Sequence, residues 1–181
     1  MAVDEFGIIW SDKNLQFAMF CIIFNPIYWN VVARLNYYTK FLEKIFESKK
    51  IACSVFAVTI ILLGFYRDWL FTIAMKSQPA NPMFDSLIVH CLGWLLIAIG
   101  TSLVLSAFFA LGFYGCFLGD YFGILLPEKV TAFPFNIFNN PMYFGSFLNF
   151  LGTSLLYNSE SGIFLSILVA LVYSGMLIFE T

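Results

Sequence analysis

The chain has 181 residues, 61% of them hydrophobic and 11% charged, with a formal net charge of −2. A soluble domain averages about 45–50% apolar and about 25% charged residues, so this composition excludes a soluble protein and describes a polytopic membrane one. The length leaves no room for a separate soluble catalytic module, and the slightly negative charge implies no nucleic-acid partner.

No cleavable signal is expected, because the N-terminus carries Asp4 and Glu5 and lacks a basic region before an apolar core. The first uncharged stretch, Asn14 to Ala33, has the length of a span of about 20 residues. Asn25, Pro26 and Asn30 interrupt it, and such breaks are tolerated only where protein or water satisfies the backbone. It is expected either to cross or to enter and lie within one leaflet. Arg34 to Lys50 is expected to be a basic loop, holding five of the nine Lys and Arg residues. A second span follows from Ile51 to Tyr66, closed by Arg67-Asp68, with Trp69 to Met75 lengthening or capping it. Lys76 to Asp85, with Pro79, Asn81 and Pro82, is a turn-rich connection.

Leu87 to Gly119 is 33 residues without a charge, too long for one perpendicular span. It is expected to form a helix to about Phe113 and then an irregular interfacial piece through Leu126. Val130 to Ser159 is uncharged but broken by Pro134 and Pro141, which predicts a loop to Pro141 and a helix over 142–157. The last span is Gly162 to Phe179, ending at Glu180. The fold class is therefore an all-α, polytopic membrane helical bundle in a single domain, with about four to five embedded helices, 14–33, 51–70, 87–113, 142–157 and 162–179. If every segment crosses, Arg34–Lys50, Lys129, Pro141 and Glu180 share one side, made cytosolic by the excess of basic residues. If one of the two middle segments is re-entrant, Arg34–Lys50 and Glu180 are separated across the membrane.

Four groups of residues have the chemistry for a site. Asp120 follows the long uncharged run, and a carboxylate near hydrocarbon is a functional candidate unless it merely caps an interfacial helix. Glu180 ends the last span, as a site residue or as a hydrated helix end. Asn139-Asn140-Pro141-Met142-Tyr143 reads as a helix start, Asn capping and Pro in the first turn, whose free N–H groups can hold an anion. Ala98-Ile99-Gly100 and Gly112/Gly115/Gly119 let a helix or a ligand come close. His90, the only histidine, is expected to pack with a hydrogen bond, and Cys21, Cys53, Cys91 and Cys116 read as buried thiols, neither disulfides nor metal ligands.

From Phe24-Asn25-Pro26-Ile27-Tyr28-Trp29-Asn30-Val31-Val32-Ala33-Arg34 onward, the sequence resembles the phosphatidylethanolamine N-methyltransferase family. The likeness continues through Ser77-Gln78-Pro79 and Leu103-Val104-Leu105-Ser106-Ala107-Phe108-Phe109-Ala110-Leu111-Gly112-Phe113. It extends over Phe117–Ile124, Val130–Ile137 and Asn140-Pro141-Met142-Tyr143, in long ungapped blocks from about Phe24 to Glu180. The resemblance implies transfer of methyl groups from S-adenosylmethionine, without a metal, to the amine of phosphatidylethanolamine. Three transfers would give phosphatidylcholine, in the endoplasmic reticulum membrane and mitochondria-associated membranes. It also implies cofactor contacts at a Gly-x-Gly and a Glu-Glu pair, which here read Ala98-Ile99-Gly100 and Glu180-Thr181. Because each motif is half kept, a catalytically silent scaffold or lipid-binding relative stands as the alternative, beside a methyltransferase with another membrane acceptor. On chemical grounds Glu180 suits the cofactor's ammonium or ribose hydroxyls, and Asp120 the amine's proton or the methylated product. Tyr121 and Tyr143 offer ring faces to the growing ammonium, and Lys129 a charge to the lipid phosphate.

Overall fold

The computed structural model describes residues 7–180, with side chains described through residue 178. It contains six α-helices: α1 (Lys13–Thr39), α2 (Phe41–Phe46), α3 (Lys49–Ser77), α4 (Leu87–Cys116), α5 (Pro141–Leu156) and α6 (Glu160–Glu180). No strand occurs among the described residues. Helices α1, α3, α4 and α6 are long and apolar enough to cross a membrane. At 16 residues, α5 rises about 24 Å, against about 30 Å of hydrocarbon.

Short polar side chains start the helices. Asp12 accepts from the Leu15 amide at 2.9 Å, Ser48 from Ile51 at 3.5 Å and Ser86 from Val89 at 3.3 Å. Helix α1 does not break at Pro26. Proline removes one backbone donor and crowds the carbonyl a turn earlier, and two asparagines beside it bond backbone oxygens with their side chains. Asn30 Nδ2 donates to Pro26 O at 3.1 Å, and Asn25 Nδ2 reaches across to Leu63 O of α3 at 3.0 Å. The expected basic loop is largely helical instead. Helix α1 continues to Thr39, Lys40 turns left-handed at φ 56°, and α2 follows at once, its Leu42 amide donating to buried Asn36 Oδ1 at 3.0 Å. Of the two expectations for Trp69 to Met75 the structure shows the lengthening: α3 runs through Arg67-Asp68 to Ser77.

Glycines set how closely α4 and α5 approach. A Cβ on Gly100 would lie 2.5 Å from Gly145 O and 2.6 Å from Asn149 Oδ1, and one on Gly152 would lie 2.6 Å from Gly93 O. The matched pairs, each spaced by seven residues, let the two backbones touch. This one-sided packing leaves Cys91 exposed, unlike buried Cys21 and Cys53, so Cys91 is not the buried thiol expected. His90 Nε2 lies 3.0 Å from the side-chain amide of Asn158 in the α5–α6 turn.

The five long helices alternate in direction. At one end Ser77 Oγ donates to Asp12 Oδ1 at 3.1 Å, and Asn81 holds Glu160. At the other, Tyr37 meets Tyr121 with ring centroids 6.0 Å apart. This second end gathers Arg34–Lys50, the segment 117–140, the start of α5 and the end of α6. We call it the basic end. Phe122 of the turn Gly119–Phe122 is fully buried there beside Ala33, Cys53 and Phe56. A larger core of Leu15, Ile22, Phe71, Met75, Phe150, Leu165, Val169 and Tyr173 joins α1, α3, α5 and α6.

Candidate active site

The site begins where α4 breaks. Gly112 has φ 68° and ψ 176°, a conformation essentially confined to glycine, and the chain turns there so that its last helical turn becomes a wall. Beyond it, Gly119 is buried so tightly that a Cβ would lie 2.7 Å from Tyr114 O. Behind this wall is a cavity of about 410 Å³. Trp29 of α1, Ile60, Gly64 and Arg67 of α3, and Leu111, Gly115 and Cys116 of α4 line it, followed by Phe117, Leu118 and Phe135. Asn140, Pro141, Met142, Tyr143 and Ser146 of α5 and Tyr173 of α6 close it.

Among the described residues, Arg67 is the only charged one in that lining. Its side chain is 12% exposed, and a cation so placed needs partners. Nε and Nη2 donate to Asp68 Oδ1 at 3.0 and 2.9 Å, and Nη1 donates to the Tyr173 hydroxyl at 2.6 Å. The guanidinium also lies over the Phe150 ring, 5.0 Å from its centroid. Tyr173 in turn stacks on Tyr143, with centroids 4.6 Å apart and planes at 30°. A second, apolar hollow of about 320 Å³ lies between α5 and α6, lined by Phe138, Phe144, Phe147 and Leu177 among others. It shares Asn140, Tyr143 and Tyr173 with the cavity, so the stacked tyrosines form a partition between the two spaces.

The residues singled out in the sequence are thus dispersed. Tyr143 and Asn140 line the cavity. Asn140 does precede the first turn of α5 with Pro141 next, but its side chain makes no cap hydrogen bond, contrary to the expected role. Asp120 is exposed and lines a neighbouring hollow of about 360 Å³ with Gly115, Leu118, Tyr121, Ile124 and Leu126. Lys129 is exposed on the 124–140 segment and lines neither space. Ala98 and Ile99 are exposed on α4 and do not reach the cavity, whereas Gly100 is buried against Gly145, the neighbour of Ser146. Glu180 is the last residue of α6, seven positions past Tyr173; its side chain and all of Thr181 lie outside the described residues. Arg67, Trp29 and Tyr173 were not anticipated as site residues. A charge standing between two apolar runs, 51–66 and 69–75, was the available signal for Arg67. Among the described residues, no group of three or more His, Cys, Asp or Glu side chains could hold a metal.

No solved structure matches this chain. Residues 88–181 match the phospholipid methyltransferase family. The human phosphatidylethanolamine N-methyltransferase is 50% identical over 93% of this chain and 85% of its own length. Phosphatidylethanolamine N-methyltransferase A of Dictyostelium discoideum is 46% identical over 94% of this chain and 80% of its own. The phosphatidyl-N-methylethanolamine N-methyltransferase of Saccharomyces cerevisiae is 42% identical, covering 94% and 82%. A cavity walled by a broken helix, a buried arginine and stacked tyrosines therefore sits in a chain that belongs to the phospholipid methyltransferase family.

Proposed function

We propose that this enzyme methylates the amine of phosphatidylethanolamine, and then its mono- and dimethyl forms, to give phosphatidylcholine, with S-adenosylmethionine as methyl donor. The printed activities of the relatives support the reaction class. The structural observation that carries it is the Tyr143–Tyr173 partition, which has a cavity on one side and an apolar hollow on the other. Two substrates of opposite character, one soluble and one a lipid, would meet across such a wall.

The residues fit a nucleoside-sized cation. The volume falls within the range of about 300–1,000 Å³ usual for small-molecule sites, and Trp29, Tyr143 and Tyr173 supply aromatic faces. When bound, the donor supplies an electrophilic methyl group, so the protein needs no nucleophile of its own. It needs alignment and exclusion of water. The Gly112 break and Phe117–Leu118 close the cavity on one side, and α5 closes it on another. In our reading Tyr143 presents its ring to the ammonium that grows with each transfer. Asn140 and the first turn of α5 are proposed to receive the headgroup's phosphate, with Lys129 drawing the anionic headgroup to the basic end. Asp120 and Tyr121, in the neighbouring hollow, hold the methylated headgroup as it leaves, Asp120 taking up the released proton. Gly100, of the Ala98-Ile99-Gly100 run, is proposed to act on the cofactor through the placement of α5, and Glu180 and Thr181 from the end of α6. The membrane is proposed to be that of the endoplasmic reticulum, including its mitochondria-associated part, with the basic end cytosolic.

The test is purified protein in phosphatidylethanolamine liposomes with methyl-labelled S-adenosylmethionine, separating the mono-, di- and trimethyl lipids. Label appearing stepwise in all three supports the reading. Absence of label from lipid, with no cofactor binding by calorimetry, would favour a silent lipid-binding relative.

A further inference from the structure

The methylation reading leaves the most costly residue in the cavity without a task. Arg67 stands 18 positions into α3 from its start at Lys49, about 27 Å along the axis from the basic end. A guanidinium has five N–H donors. Three are committed, two to Asp68 Oδ1 and one to the Tyr173 hydroxyl. Among the described residues no further partner is recorded, and the two remaining N–H groups belong to the two terminal nitrogens. These are the nitrogens with which arginine grips both oxygens of a carboxylate or two oxygens of a phosphate. Asp68 is itself half exposed, at 51%, so the pair points its acid outward and its base at the cavity.

We infer that Arg67 is the seat for the carboxylate of the methyl donor's amino-acid portion, with Tyr173 as its positioning residue. The place of Arg67 on α3 separates this ligand from the other anion at hand, the lipid phosphodiester. Arg67 lies 18 positions past Lys49 and ten before Ser77, inside the span, whereas a phospholipid keeps its phosphate at the headgroup level and a soluble zwitterion can enter the cavity end-first. The order of groups agrees. Arg67 binds the hydroxyl end of Tyr173, and the ring of Tyr173 leads at 4.6 Å to Tyr143. An anion seat thus adjoins the ring faces proposed for the positive charge. The inference rests on the methyl-donor reading above and specifies which residue fixes the donor's orientation.

The experiment compares binding of two probes, by calorimetry on protein in lipid nanodiscs. One is S-adenosylhomocysteine. The other is its decarboxylated form, which keeps the nucleoside, thioether and amine. In the unaltered protein, loss of the carboxylate is expected to weaken binding roughly 10- to 100-fold, the range for a hydrogen-bonded charge. Arg67→Gln should weaken S-adenosylhomocysteine by a similar factor and leave the decarboxylated probe within about twofold. Equal affinity of the two probes for the unaltered protein overturns the proposal, and that arm needs no variant that might misfold. Loss of both probes alike in a folded Arg67→Gln also overturns it. So do unchanged probe affinities with a raised KM for phosphatidylethanolamine, which would assign Arg67 to the lipid phosphate. If the unaltered protein bound neither probe and methylated nothing, the functional reading would fall as well, whereas tight binding insensitive to Arg67 would remove the carboxylate seat alone.

Discussion

The Nη1 of Arg67 donates to the hydroxyl of Tyr173 at 2.6 Å, joining a buried charge on α3 to the ring stack that α6 shares with α5. Three helices are thereby locked around the cavity by a single side chain. Tyr173→Phe removes the acceptor while keeping the ring and the stack. It should cost about 1–3 kcal/mol in unfolding, because a buried donor loses its partner. Thermal unfolding in detergent measures this, and an unchanged midpoint would show that Arg67 is satisfied otherwise.

Tyr143 is proposed to act through its ring face. Tyr143→Phe should keep methyl transfer within about threefold, and Tyr143→Leu should lower it about tenfold or more, given a desolvated cation–π contact of about 2 kcal/mol. The later methylations should suffer most, since the ammonium that forms on their neutral amine is the larger. Rates measured separately on phosphatidylethanolamine and its dimethyl form check both points. Equal loss in Phe and Leu variants would assign the hydroxyl instead.

Gly112 is held at φ 68° and ψ 176° with open space around it, so replacement acts on the backbone alone. Gly112→Ala should cost about 1–3 kcal/mol and weaken S-adenosylhomocysteine binding by moving the wall from Gly115 to Leu118. A calorimetric Kd unchanged from the parent would separate the break in α4 from the cavity.

Gly100 and Ala98 are expected to behave differently although two positions apart. A methyl on Gly100 meets Gly145 O at 2.5 Å, so Gly100→Ala should destabilise by about 1–3 kcal/mol. Ala98→Leu, on an exposed face, should stay within about 0.5 kcal/mol. Unfolding midpoints of the two variants decide this.

Asp120→Asn should lower turnover without altering S-adenosylhomocysteine affinity, because Asp120 lines the neighbouring hollow and not the cavity. Unchanged turnover would end its proposed role.

Much of the helix order was legible because local signals carry it. Asn140-Pro141 marks the start of α5, and the uncharged lengths mark α4 and α6. The predicted end of the long helix near Phe113 falls one residue from the break at Gly112. Other features depended on distant partners. Pro26 reads as an interruption until Leu63 O of α3 is there to receive Asn25. Arg67-Asp68 leaves open whether the span is lengthened or capped beyond it, because sequence alone cannot place Tyr173, 106 residues away, beside the guanidinium. The basic run from Arg34 reads as a loop by its charge, although Asn36, only six positions from Leu42, holds the start of α2. The site residues were half legible. Tyr143 and Asn140 stand at a recognisable helix start, whereas Ala98 and Asp120 belong to other surfaces than the one they flank in sequence.

The central claim is that the methyl donor sits in the cavity bounded by α3, the broken end of α4, α5 and α6. Ultraviolet crosslinking of labelled S-adenosylmethionine to the protein in nanodiscs, followed by peptide mapping, tests it most directly. The account predicts label on peptides bearing Trp29, Phe135, Tyr143 or Tyr173, abolished by excess S-adenosylhomocysteine. Competable label confined to the outer face of α4 at Ala98–Ile99, or to the hollow of Asp120 and Tyr121, would contradict it.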